Sequence, residues 1–102
     1  MITDFFLGFI KIHILYHASK GPVFGLKLIK ELSRHGYHIS PGTLYPILHR
    51  LLNEGYLTIE TKVVNGKVRK YYRITSKGRR ALKECIGKIH ELVAEVVERK
   101  SI

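Results

Sequence analysis

Residues 40–75 read SPGTLYPILHRLLNEGYLTIETKVVNGKVRKYYRIT, and this stretch decides the fold. Ser40 offers a helix cap and Pro41 a first helical position. Leu44, Ile47, Leu48, Leu51 and Leu52 follow on one face at helical spacing, and Gly55 stands just past the end. Pro46 conflicts with this pattern, because it has no N–H to bond back to Gly42. The pattern therefore predicts either a distorted first turn or a regular helix that begins near Thr43. Two further runs, 56–64 and 67–75, flank Asn65-Gly66, a strong signal for a two-residue hairpin turn. That turn sets a register pairing Val63 with Val68, Thr61 with Lys70, Ile59 with Tyr72 and Leu57 with Ile74. Three of the four pairs are apolar on both sides, so this face is expected to pack inward. The other face carries Thr58, Glu60, Lys62, Lys67, Arg69, Tyr71 and Arg73 and is expected to meet water or a polyanion.

The flanking segments complete the pattern. Before the stretch, residues 24–34 place Phe24, Leu28, Ile29 and Leu32 on an inward face, with Lys27, Lys30, Glu31 and Arg34 outward. Gly36 sits where a left-handed helix end belongs. Two helices joined by a short glycine-containing turn make a helix-turn-helix over 24–54, and the hairpin of 56–75 is its wing. A first helix over 3–17 is apolar around most of its circumference and needs cover on more than one side. A last helix over 76–99 carries Leu82, Cys85, Ile89, Leu92 and Val96 at 3-4-3-4 spacing, widened by Ile86, Val93 and Val97. That is a helix-pairing seam. The fold class is mainly α with a β-hairpin wing (α+β): one winged helix-turn-helix domain with dimerisation helices at both ends. Phe5, Phe6, Phe9, Leu82, Ile86, Ile89, Leu92, Val93 and Val96 are the expected homodimer contacts.

Charge points to the partner. The 102 residues carry 18 Lys/Arg against 8 Asp/Glu, a formal net charge of +10, and small basic domains of this kind meet polyanions. Nine of the cations lie between Lys62 and Lys83, a stretch with no acidic residue, so local ion pairing is not expected to neutralise them. On a hairpin directly after a helix-turn-helix, that charge reads as a phosphate-binding wing along or in the minor groove of double-stranded DNA. The helix of 40–54 is the recognition candidate for the major groove. Its contact residues are Ser40, Gly42, Thr43, Tyr45, Pro46, His49 and Arg50; those of the wing are Lys62, Lys67, Arg69, Lys70 and Tyr71.

Other function classes find less support. The single cysteine, Cys85, excludes an intrachain disulfide and suits a reducing interior. The apolar start, 1–16, is interrupted by Asp4, Lys11 and His13, so neither a signal peptide nor a membrane span is expected. A soluble, cytoplasmic protein is expected. His13 and His17 are spaced i,i+4 and suit two metal ligands, but no Cys-x-x-Cys or His-Glu-x-x-His accompanies them. Neither metal nor cofactor is expected. The eight acids are scattered, and no nucleotide-binding glycine loop or nucleophile motif is present, so an enzyme is not expected. Two alternatives use the same residues: an RNA-binding winged-helix module, and a metal-sensing regulator acting through the histidines.

The run from Ser40 through Leu51 resembles the recognition helix of PadR-like transcriptional regulators. Glu54-Gly55-Tyr56-Leu57 follows as in that family, the run from Arg69 through Gly78 resembles its second wing strand and the start of its last helix, and Gly21-Pro22-Val23-Phe24-Gly25 its turn into the second helix. The resemblance spans nearly the whole chain and is to the short branch, with one carboxy-terminal helix. It implies a homodimer that usually represses transcription, with first and last helices in the dimer contact. It also implies DNA contacts at Ser40, Gly42, Thr43, Tyr45, His49, Lys67, Arg69 and Lys70. Leu26 departs from the family's usual tyrosine, and the chain has no tryptophan, which some short members use to stack flat drugs. A small-molecule effector at the dimer interface is expected to act by changing the spacing of the two recognition helices.

Overall fold

The computed structural model describes residues 1–99. In chain order the elements are α1 (Ile2–Ser19), α2 (Gly25–Arg34), α3 (Pro41–Asn53), β1 (Leu57–Val64), β2 (Lys67–Ile74) and α4 (Ser76–Leu92), which runs on into a π-helical turn, Val93–Val97. This is the expected winged helix-turn-helix. Its core lies where α1, α2, α3 and the base of the hairpin meet, and Ile14, Leu28, Leu32, Leu44 and Leu48 are fully buried there. Each such side chain contributes about 1.5–3 kcal/mol relative to exposure.

The helix ends form where the residue types allow. After α2, Gly36 takes φ +86°, and the N–H of Tyr37 bonds to the Leu32 carbonyl at 2.9 Å. After α3, Gly55 takes φ +81°, and the N–H of Tyr56 bonds to the Leu51 carbonyl at 2.9 Å. Both are left-handed glycine terminations that satisfy the last helical carbonyls. The helix α3 begins at Pro41 and continues through Pro46. Of the two outcomes the sequence leaves open for this helix, the late start near Thr43 does not occur. The carbonyl that Pro46 deprives belongs to Gly42, which is exposed and so open to solvent. In the hairpin, Asn65 and Gly66 have φ of 53° and 76°, the two positive values of a type I′ turn. The register is the one read from the sequence, from Leu57–Ile74 at the base to Val63–Val68 near the tip.

Four expectations need correction. The apolar face of the hairpin packs inward only at its base: Leu57 and Tyr72 are buried, whereas Val63 and Val68 are 73% and 70% exposed. Strands of eight residues reach well beyond the core, and no described residue covers their tip. Phe24 caps α2 rather than joining its inward stripe, and it turns to the wing. Leu82, placed in the pairing seam from its spacing, is 8% exposed and belongs to the protomer's own core. The last helix does not stay α-helical to residue 99. At Val93 it widens into a π turn closed by the Glu98 N–H on the Val93 carbonyl, and Arg99 has φ +57°. A π turn takes one more residue than an α turn, so Val96 does not continue the 3-4 spacing.

One contact has no local sequence signal. Val23 and Tyr72 exchange two backbone hydrogen bonds, of 3.0 and 2.7 Å, in an isolated antiparallel bridge beside the hairpin. This bridge fastens the base of the wing to the loop between α1 and α2. At the same base of the wing, where β2 ends, Thr75 caps α4: its Oγ1 accepts from the Gly78 N–H at 3.0 Å and donates to the Gly55 carbonyl at 2.6 Å. Wing, α3 and α4 are therefore held in one rigid frame. Among the described residues no helix is long and apolar enough to cross a membrane.

Candidate nucleic-acid interface

The start of α2, joined by Tyr45 of α3, faces the wing across an open cleft of about 580 Å³. Phe24, Gly25, Leu26 and Tyr45 form one wall; Val64, Asn65, Lys67, Val68, Arg69 and Lys70 form the other. Four residues singled out from the sequence thus share one cavity: Tyr45, Lys67, Arg69 and Lys70. Ser40, Gly42, Thr43, Pro46, His49 and Arg50 are all exposed on α3. The first three lie at its amino end, where unpaired N–H groups and the helix dipole favour a phosphate. Ser40 Oγ and Thr43 Oγ1 share a hydrogen bond of 3.4 Å, and neither hydroxyl caps the helix backbone. His49 and Arg50 lie further along the helix and do not line the cleft.

The wing wall is braced from below. The Arg69 guanidinium sits 4.3 Å from the Phe24 ring centroid, and Tyr71 meets the same ring edge-on at 5.6 Å. Lys62 Nζ lies 5.5 Å above Tyr71. Arg69 is thus held half-buried and directed, while Lys67 and Lys70 are exposed. Lys62 and Tyr71 support the wing without lining the cleft. Gly25 is a site residue that the charge reading does not reach. A Cβ there would collide with the Tyr45 phenol, so only glycine lets Tyr45 lie along the start of α2. The signal in the sequence was Gly25 itself, at a helix start where glycine is otherwise a poor choice.

The basic stretch from Lys62 to Lys83 is partly spent on structure, which corrects the expectation that its charges stay free. Arg73 Nε donates to Glu60 Oε2 at 2.9 Å across the strands. That hydrogen bond, with Lys62 nearby, holds the Glu60 carboxyl below its usual range. Lys77 Nζ donates to the Glu54 carbonyl at 2.6 Å and lies over the Tyr56 ring at 4.8 Å, closing the end of α3. Among the described residues, Lys67, Arg69 and Lys70 of the wing and Arg79, Arg80 and Lys83 of α4 have no carboxylate within 4 Å. The positive surface facing the cleft is therefore narrower than the sequence implies, and it is concentrated at the hairpin.

The expected dimer residues fall into two groups. Phe5 and Phe6 are 50% and 45% exposed on α1, and Ile86, Leu92 and Val96 are 42%, 51% and 62% exposed on the last helix. Phe9, Ile89 and Val93 are half-buried beside them, and Leu82 is in the core. A groove of about 470 Å³ runs between these helices, lined by Ile12, Tyr56, Cys85, Ile89 and Leu92 among others.

Comparison with known proteins agrees with this geometry. The sequence pattern of the "Transcriptional regulator PadR-like family" matches residues 14–84. The chain is 48% identical over 100 residues to "Transcriptional regulator Rv3488" of Mycobacterium tuberculosis, covering 98% of this chain and 94% of that one. Among solved structures, it is similar to a PadR-like transcription factor from Bacteroides fragilis, at a TM-score of 0.83 and 31% identity over 94% of each chain. It is also similar to a PadR family transcriptional regulator from Eggerthella lenta, at a TM-score of 0.82 and 35% identity over 96% of this chain and 87% of that one. The matched region contains α2, α3 and the whole wing, the elements that build the cleft. The chain belongs to the PadR-like family of transcriptional regulators and is not an enzyme.

Proposed function

We propose that this regulator binds double-stranded DNA sequence-specifically as a homodimer in the cytoplasm and represses transcription from the bound site. The observation that carries the reading is the cleft that joins Tyr45 of α3 to Lys67, Arg69 and Lys70 of the wing, with no acidic residue in its lining. The amino end of α3 enters the major groove, where Thr43, Tyr45 and Pro46 meet base edges and thymine methyls. Ser40 and Gly42 hold the adjacent phosphate. Lys67, Arg69 and Lys70 follow the backbone or minor groove beside it. Arg50 and His49 reach the flanking phosphates.

The dimer follows from uncovered apolar surface. The Cα radius of gyration is 15.1 Å. A compact chain of this length has about 13 Å. On the last helix Ile86, Leu92 and Val96 face solvent, as do Phe5 and Phe6 of α1. The last helix of a second copy fills the groove at Ile12, Ile89 and Leu92. Two α3 helices then sit about 34 Å apart, one DNA turn, over a near-palindrome. An effector in this interface changes that spacing.

Leu92→Glu tests the arrangement. Light scattering is expected to show a monomer where the unmodified chain is a dimer. Affinity for a two-half-site duplex is expected to fall at least ~100-fold, because the second contact loses its effective concentration. A monomer that binds the full duplex as tightly as the dimer contradicts the reading. In a promoter fusion carrying the same duplex, the unmodified chain is expected to lower expression and the Leu92→Glu chain is not.

A further inference from the structure

From sequence alone the histidines amount to one i,i+4 pair, His13 and His17, and fall short of a metal motif. The fold supplies a third. His35 caps the carboxy-terminal end of α2 and meets the two α1 imidazoles. The His13 and His35 rings stack with centroids 4.5 Å apart, and the His13 and His17 rings lie 6.4 Å apart on successive turns. One ring nitrogen from each of the three residues lies within 4.8 Å of the other two. The Nε2 of His17 is buried and has no hydrogen-bond partner among the described residues. A buried polar atom left unpaired in a folded protein calls for a ligand, ion or water.

We propose that His13, His17 and His35 form a binding site for a divalent transition-metal ion of the zinc class, held by three imidazole nitrogens with water in the fourth position. Three neutral imidazoles each offer one lone pair, and i,i+4 spacing presents two of them on one helix face. Tetrahedral bonds of ~2.0–2.1 Å set ligand nitrogens a little over 3 Å apart. The nitrogens, within 4.8 Å of one another, have to close to that on binding, and the exposure of His35 leaves a route in for the ion. Imidazole donors suit zinc, cobalt, nickel or copper, whereas calcium and magnesium take oxygen ligands.

The surroundings fit a cation bound by neutral imidazoles. Burial, then the neighbouring imidazoles His35 and His17, hold His13 below the ordinary histidine value. Burial does the same at His17, where Glu31 opposes it and His35 and Lys27 reinforce it. Glu31 lies one helical turn before His35 and brings negative charge to the site, while Lys27 acts against it. An ion here ties α1 to the end of α2. The site lies outside the DNA cleft, and its existence does not depend on the DNA-binding reading.

The test uses the full chain without an affinity tag, stripped with chelator and titrated with Co²⁺, then with Zn²⁺ in competition. One Co²⁺ per chain is expected, with visible d–d absorption and no thiolate-to-cobalt charge-transfer band, which separates the histidines from Cys85. His17→Ala and His35→Ala are each expected to weaken binding by more than the ~10–100-fold that loss of an outer-shell partner costs. His38→Ala and His49→Ala are expected to leave it unchanged. His35 is exposed, so His35→Ala keeps the test sound if His17→Ala fails to fold. Undiminished binding in His35→Ala, a thiolate band, or no Co²⁺ bound at micromolar concentration would overturn the proposal.

Discussion

Replacing Gly78 by alanine is expected to destabilise the protein by about 2–3 kcal/mol, although alanine is the better helix former by about 1 kcal/mol. The residue is buried in the first turn of α4. A Cβ there would collide with the Tyr56 carbonyl and come within 2.7 Å of Ile74 Cγ1. Neither neighbour can give way cheaply. The Tyr56 carbonyl accepts from the Thr75 N–H at 3.1 Å, and the Thr75 side chain both caps α4 and bonds to Gly55. Moving any of them loosens the wing from α3. Gly87→Ala is the matched control, because a Cβ at Gly87 meets nothing within 4 Å in the same helix. It is expected to raise stability by up to about 1 kcal/mol. Thermal unfolding at fixed protein concentration reads both. The expected shifts are roughly 10–20 °C down for Gly78→Ala and a few degrees up for Gly87→Ala. Equal shifts of the same sign would show that helix propensity, and not the Tyr56 contact, governs position 78.

The double variant Lys67→Ala, Lys70→Ala is expected to weaken DNA binding ~10²–10⁴-fold near physiological salt and to leave the fold unchanged. Both side chains are exposed on the wing and have no carboxylate partner among the described residues. Each is proposed to neutralise one phosphate, so a dimer loses about four counterion-releasing contacts. The slope of log affinity against log salt should then flatten by about 3–4. The loss should be nearly the same on specific and on random duplexes, because phosphate contacts carry no sequence information. Thr43→Ala at the amino end of α3 should do the reverse, lowering the preference for the specific site with little change in slope. A double lysine variant with an unaltered slope would remove the wing from the interface.

What was legible in the sequence was whatever a few adjacent residues determine. Asn65-Gly66 dictates a turn with two positive φ values, and that turn dictates the entire strand register. Gly36 and Gly55 mark helix ends because only glycine enters the left-handed region freely. The resemblance to the family rests on local runs too: Ser40 through Leu51, Glu54 through Leu57, Arg69 through Gly78 and Gly21 through Gly25. The rest depends on chain segments far apart in sequence. Tyr72 finds Val23 only once α1 and the wing are in place. Arg73 looks free along its own stretch, yet Glu60 reaches it across the hairpin. Leu82 shares its spacing with Ile89, but the start of α4 is pressed against the core while its later turns project from it. His35 has no periodic relation to His13 and His17, and only the packing of α2 on α1 brings the three together.

The most direct test is fluorescence anisotropy at ~150 mM salt, with duplexes tiling the DNA upstream of this chain's own reading frame, and with scrambled duplex and structured RNA as competitors. The account predicts one tile bound at least ~10³-fold more tightly than the scramble, at two chains per duplex. Equal binding to every probe at ~10⁻⁴–10⁻⁶ M, or preference for the RNA, would contradict it.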